Sequence, residues 1–117
     1  MTDPSQRFGV LRASYARSFA AKHAALDEAW RAFDAAANDA SARALQVLVH
    51  RLAGSAPAYD FADLGKLAAA ADRALIGWCE TPSAARAAAT LGEIAALMQA
   101  LLEALARHAA DGSAAQD

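Results

Sequence analysis

The amino-acid sequence predicts an all-α protein, most simply an antiparallel four-helix bundle, or a bundle with an extra N-terminal helix. The chain has 117 residues, of which 56% are hydrophobic, and much of this share is alanine, the strongest helix former. Valine, isoleucine and threonine, which favour strands, are scarce. Only three prolines and six glycines interrupt the chain, so long helices are expected.

The first helical segment is predicted from about residue 4 to residue 37. Asp3 or Thr2 can accept hydrogen bonds from the free N–H groups of the first turn, and Pro4 suits the first helical position. Apolar residues then recur at steps of three or four, or sums of such steps, which predicts one buried stripe. This stripe comprises Phe8, Leu11, Tyr15, Phe19, Leu26, Trp30 and Phe33. The pattern allows one long helix or two helices joined near 19–23.

Two further helical segments follow a break at 36–41. Asn38 can end the preceding helix in a left-handed conformation, and Asp39 or Ser41 can cap the next one. Pro57 then marks the end of the second segment, because it lacks an N–H and crowds the preceding turn. The inward faces of the two segments are predicted to carry Leu45, Leu48, Val49, Leu52 and Ala56, and then Phe61, Leu64, Leu67, Ala68, Ala71 and Leu75.

The final helix is predicted to begin with Thr81 as its cap and Pro82 at its first position. Its inward face is expected to carry Leu91, Ile94, Leu97 or Met98, Leu101 and Leu105. The connections are short, so neighbouring helices should pack antiparallel. One domain over 1–110 is expected, with a frayed polar tail at 111–117.

Charge and composition argue against several classes of function. The formal net charge of −2 disfavours a general nucleic-acid binder. The single cysteine, Cys79, excludes an intramolecular disulfide and fits a reducing compartment. Charged residues interrupt each apolar run, the N-terminus lacks the apolar core of a signal peptide, and no His/Cys spacing supports a metal site. These features predict a cytoplasmic protein without a membrane span or a bound metal.

One histidine of the second segment is predicted to point away from the core. On a helical wheel with Leu45 at zero, Leu52 lies near −20°, whereas His50 lies near 140° and Gly54 near 180°. His50 is then either an ordinary solvated side chain or a ring displayed to a partner. Glycine inside a helix costs roughly 0.5–1 kcal/mol relative to alanine. Because Gly54 has no side chain, it leaves space beside the ring, and this favours the interpretation that the ring is displayed to a partner.

The stretch "HRLAGSAPAYDFADLGKLAAAAD", from His50 to Asp72, resembles the histidine-containing phosphotransfer (HPt) domain of two-component phosphorelays. The residues that match the family pattern in register are His50, Leu52, Gly54, Ser55, Ala56, Phe61 and Leu64. The N-terminal stretch "LRASYARSFAAKHAALDEAWRAF" is similar to the leading helices of HPt modules attached to hybrid kinases. The resemblance therefore extends over essentially the whole chain.

The resemblance implies a phosphoryl relay through His50. Its Nε2 would attack the phospho-aspartate of a response-regulator receiver domain, while Asp72 would accept the Nδ1 proton and Gly54 would leave clearance. The receiver would supply the metal ion, no cofactor is expected, and the partners would be receivers or a hybrid sensor histidine kinase. A monomer is expected. An alternative is an HPt-like adaptor that binds a receiver or kinase without relaying phosphate.

The chain departs from the family pattern in four places. Ala53 occupies the position of a lysine that assists the phosphoryl group, Asp60 that of a glycine, and Pro57 that of a small residue. Asp72 occupies the position of a glutamate or glutamine and is one methylene shorter. Basic side chains that could replace the lysine are Arg51, Arg43 and Lys66. The docking surface is expected to centre on the apolar Val47, with Ala53, Gly54 and Pro57 around it.

Overall fold

The computed structural model describes residues 3–116, with side chains over 3–111. Five α-helices follow one another in the described part of the chain, which contains no strand. They are α1 (Pro4–Arg17), α2 (Phe19–Ala35), α3 (Asp39–Ser55), α4 (Ala62–Glu80) and α5 (Ala88–Gln116). Short 3₁₀ turns, Pro57–Tyr59 and Ser83–Ala85, lie in the last two connections. The predicted all-α fold is confirmed.

Helices α2 to α5 form a four-helix bundle, and α1 is an additional N-terminal helix. Around the bundle α2 packs on α3, α3 on α4, α4 on α5, and α5 on α2 again. Because consecutive helices pack together across short connections, each runs antiparallel to the next. Helix α1 contacts α2, α5 and the 57–59 turn.

The core follows the helical periodicity of the sequence. Most of the predicted inward residues are buried, and together they form one cluster. Its largest fully buried side chains are Phe19, Phe33, Leu45, Val49, Leu64, Leu75, Ile94, Met98, Leu101 and Leu105. On α5 the buried one of the two predicted alternatives is Met98. The predicted inward residues that are only half-buried, and that pack against this cluster, are Tyr15, Trp30, Leu48, Leu67, Leu91 and Leu97.

The first segment consists of two helices that meet at Ser18. Asp3 caps α1 by accepting a hydrogen bond from the amide of Gln6, while Thr2 lies outside the described residues. The predicted buried stripe is wrong for α1, because Phe8 and Leu11 are 40% and 55% exposed. Helix α1 lies outside the four-helix bundle and packs less extensively against its neighbours than the bundle helices pack against each other.

The α2–α3 connection corrects the role predicted for Asn38. Helix α2 ends at Ala35, and Asn38 has an extended backbone (φ −145°, ψ 174°) rather than a left-handed one. Its side chain accepts a hydrogen bond from the Ser41 amide, and the Ser41 hydroxyl accepts one from the Asn38 amide. This reciprocal capping box, with Asn38 as the cap, starts α3 at Asp39.

The start of the last helix is also corrected. Thr81 and Pro82 do not begin α5, which starts at Ala88. The Thr81 hydroxyl instead donates to the carbonyl of Gly77 and closes the end of α4. Pro82 is extended (φ −54°, ψ 140°), so the chain leaves the helical region there.

The α3–α4 connection contains Asp60 and Pro57, two of the residues at which the chain departs from the family pattern. Asp60 adopts the left-handed conformation (φ 67°), which glycine adopts without strain and aspartate tolerates better than most residues. Pro57 lies so close to α4 that a Cβ on Gly65 would lie 2.5 Å from its Cγ. Gly65 therefore marks a close contact between α4 and the 57–59 turn, whereas Gly92 has open space beside it.

Helix α5 is the most apolar helix of the described chain. Residues Ala88–Asp111 are long and apolar enough to cross a membrane by length and composition, with a mean hydropathy of 1.4 in the most apolar window. The same stretch contributes Ile94, Met98 and Leu101 to the bundle core, and 28% of its most apolar window is buried. Its helical backbone continues to Gln116, so the fraying expected at 111–117 stays a prediction.

Candidate functional site

His50 lies on the outer face of α3, where the helical wheel places it. Its side chain is 69% exposed, and its Nδ1 lies 2.9 Å from Oδ2 of Asp72 on α4. Its Nε2 forms no hydrogen bond with any described residue. One ring nitrogen is thus held by the protein while the other faces solvent.

Asp72 is buried in the interface between α3 and α4. Its side chain is only 13% exposed, and its neighbours Ala71 and Leu75 belong to the core. A carboxylate at such a site is stable only when its oxygens accept hydrogen bonds. Asp72 is one methylene shorter than the glutamate or glutamine of the family pattern, yet it reaches the ring because α3 and α4 pack closely.

Gln46 completes the arrangement, and its role was not predicted. Its side-chain Nε2 donates to Oδ1 of Asp72 at 2.7 Å, so each carboxylate oxygen has one partner. The signal available in the sequence is its position four residues before His50, one turn away on the same face of α3. That spacing lets both side chains contact one group on a neighbouring helix.

The geometry favours one tautomer of the His50 ring. Because a carboxylate can only accept, the bond to Oδ2 requires the proton on Nδ1. A neutral imidazole with its proton on Nδ1 carries its lone pair on Nε2. The exposed nitrogen of His50 is therefore the nucleophilic one.

The surface around the ring is partly open. A Cβ added to Gly54 would meet nothing within 4 Å, and the role of Gly54 as clearance for a partner stays a prediction. Val47 is 42% exposed, and Pro57 is also exposed. Ala53 is half-buried against the core, so it contributes less to this surface than predicted.

The three basic residues considered as substitutes for the missing lysine are all exposed. Arg43, Arg51 and Lys66 form no ion pair within the described residues, and none is hydrogen-bonded to His50. Arg51 lines a groove of about 350 Å³ between α2 and α3, together with Lys22. Burial lowers the pKa of the Lys22 ammonium, whose Nζ donates to the Ser18 hydroxyl at 2.6 Å.

The other two histidines have different surroundings. His108 on α5 contacts Asp63 through Nε2 at 2.8 Å, and its side chain is 26% exposed. It also packs edge-on against Phe61. His23 is half-buried, as is Cys79. His50 alone among the three combines an exposed ring, a carboxylate at Nδ1 and a solvent-facing Nε2.

No family model, curated protein or solved structure matches this chain. The resemblance to HPt domains therefore rests on the sequence stretches quoted for it and stays a prediction.

Proposed function

We propose that this protein is a histidine phosphotransfer protein that relays a phosphoryl group between receiver aspartates through His50. The observation that carries the proposal is the His50–Asp72 pair. It leaves Nε2 unprotonated and facing solvent on a surface with clearance at Gly54. The free lone pair of a neutral imidazole nitrogen can act as a nucleophile.

In the proposed reaction, the Nε2 lone pair of His50 attacks the phosphorus of an aspartyl phosphate on the receiver. A P–N bond forms, the P–O bond to the receiver aspartate breaks, and that aspartate leaves as a carboxylate. Nδ1 keeps its proton, so the phosphorylated ring carries a positive charge. The carboxylate of Asp72, 2.9 Å from Nδ1, stabilises that charge. Transfer to a second receiver reverses these bond changes.

The test is phosphoryl transfer from purified receiver domains of the same cell, phosphorylated with labelled acetyl phosphate. We expect acid-labile, base-stable label on the parent protein and on the His23→Gln variant. We expect no label on His50→Gln. Label on His50→Gln at the parent level contradicts the proposal.

The second candidate function is an adaptor that binds a receiver or kinase without relaying phosphate. The observation that favours it is the lack of any described basic side chain hydrogen-bonded to His50, with Ala53 in place of the family lysine. Titration calorimetry with the same receivers separates the two functions. Binding without transfer of label supports the adaptor, whereas binding with transfer supports the relay.

A further inference from the structure

Two side chains of α3 hold the same carboxylate. Gln46 and His50 lie one turn apart, and they contact Oδ1 and Oδ2 of Asp72 at 2.7 and 2.9 Å. The orientation of the Gln46 amide follows from its partner, because a carboxylate can accept from the NH₂ group but cannot donate to the amide oxygen. The three side chains form one hydrogen-bonded chain from Gln46 through Asp72 to the ring.

No described lysine or arginine forms an ion pair with Asp72. The two hydrogen bonds from Gln46 and His50 therefore set the orientation of its carboxylate. The torsion about the Cβ–Cγ bond of aspartate is broad and roughly two-fold, so a carboxylate held at one oxygen alone can rotate. Gln46 is half-buried, and its side-chain amide contacts Asp72 rather than the ring, so it does not occupy Nε2.

We propose that Gln46 is a positioning residue: it fixes the carboxylate of Asp72 so that Oδ2 holds the Nδ1 proton of His50 and Nε2 stays free. This role rests on the proposed function, since it matters for transfer only if His50 is the acceptor. Gln46 supplies no net charge. The negative charge of Asp72 therefore remains available to the ring when phosphorylation makes it cationic.

The main variant is Gln46→Met, which keeps the approximate volume and removes the donor. Gln46→Glu keeps the shape but places a second carboxylate beside Asp72. The matched control is Gln99→Met, an exposed glutamine on α5. The readouts are the ¹⁵N chemical shifts of the two His50 ring nitrogens at neutral pH, and the rate of transfer from a labelled receiver.

In the parent and in Gln99→Met, the His50 shifts should show protonated Nδ1 and unprotonated Nε2. In Gln46→Met and Gln46→Glu, the two shifts should move towards each other as the tautomers mix. The transfer rate should fall about tenfold, as expected for losing one hydrogen bond that acts on the transition state. A merely structural role would leave the tautomer unchanged in variants that remain folded.

Parent-like ¹⁵N shifts in both Gln46 variants would overturn the positioning role, whatever the transfer rate. The shifts are measured without a partner, so they also test the hydrogen-bonded chain if the parent accepts no label. If the parent accepts no label, the proposed function is wrong, and the ¹⁵N shifts alone then test whether Gln46 positions Asp72.

Discussion

His50 and His108 each contact one aspartate, but they do so through different ring nitrogens. Asp72 binds Nδ1 of His50 and leaves Nε2 in solvent, whereas Asp63 binds Nε2 of His108. Nε2 is the nitrogen farther from the backbone, so a bulky partner reaches it more easily. This difference, rather than the presence of a histidine–aspartate pair, singles out His50.

Asp60 shows how a residue-level departure is accommodated. The family pattern has glycine at this position, and Asp60 adopts the left-handed conformation that glycine would provide. Aspartate is among the few residues that visit this region routinely. Asp60 therefore closes the turn between α3 and α4 in a left-handed conformation.

The clearance at Gly54 is tested by Gly54→Gln. Glutamine is a far better helix former than glycine, so the free energy of unfolding should rise by roughly 0.5–1 kcal/mol. Transfer from a receiver should nevertheless slow at least tenfold, because the new side chain occupies the open space beside the ring. Urea denaturation and the labelling assay give the two measurements.

Gly92→Gln is the matched control for Gly54→Gln. Gly92 also lies in a helix with nothing within 4 Å of an added Cβ, but it is on α5. It should show the gain in stability without the loss in transfer. Equal transfer rates in the two variants would refute the assignment of Gly54 as clearance.

At the scale of the elements, the faces of the helices were predictable and several of their ends were not. Apolar spacing indicates which side of α3, α4 or α5 is buried, because the 3.6-residue period is local. A helix end depends on which side chains reach its free N–H and C=O groups. At the end of α4, one of these side chains comes from within the connection to α5.

Arg86 is that side chain. Its Nε lies 3.0 Å from the carbonyl oxygens of both Trp78 and Thr81, and its Nη2 lies 2.6 Å from Oδ1 of Asp39. Its guanidinium also lies 3.8 Å from the centroid of the Trp78 ring. These contacts hold the 81–87 connection against the end of α4 and the start of α3, which moves the start of α5 to Ala88.

Replacing this guanidinium should destabilise the fold. For Arg86→Met we expect the free energy of unfolding to fall by roughly 2 kcal/mol, because charge-assisted hydrogen bonds and a cation–π contact are lost at a side chain that is 14% exposed. Urea denaturation should show a lower midpoint with an unchanged slope.

Arg31→Met is the control for Arg86→Met. Arg31 pairs with Asp27 one turn away on α2, but its side chain is 78% exposed. Such a surface pair contributes about 0.3–0.5 kcal/mol. If the two variants lose equal stability, Arg86 does not hold the connection.

For the whole molecule, closure of the bundle brings distant parts of the chain together. The start of α4 meets α5 where Asp63 contacts His108, 45 residues away. Burial raises the pKa of the Asp63 carboxyl, but the hydrogen bond and charge of His108 and the backbone amide of Leu64 outweigh burial. The pKa therefore lies below its usual value.

A lowered carboxyl pKa makes stability depend on pH in the acid range. The ionised Asp63 stabilises the fold above the unfolded-state pKa, about 3.9 for aspartate, and this contribution is lost as the pH falls through the lower folded-state pKa. Because the side chain is about half exposed, we expect less than about 1 kcal/mol. Asp63→Asn should thus be less stable than the parent at pH 7, with a smaller difference below pH 4, by urea denaturation.

Asp34→Asn serves as the comparison for Asp63→Asn, since Asp34 is exposed on α2 and forms no ion pair within the described residues. Its stability should follow the parent at every pH. A constant difference between Asp63→Asn and the parent from pH 7 to pH 3 would contradict a contribution from the ionised carboxylate.

The sequence by itself determined the helical fold, the inward faces and the outward direction of His50, because each follows from local propensity and periodicity. It also placed Asp72 near the ring through the family resemblance. Only the tertiary structure decided that α1 leaves Phe8 and Leu11 exposed, that Arg86 sets the α4–α5 connection, and that Gln46 shares Asp72 with His50. These features depend on contacts between helices, and no local pattern specifies which side chains meet across an interface.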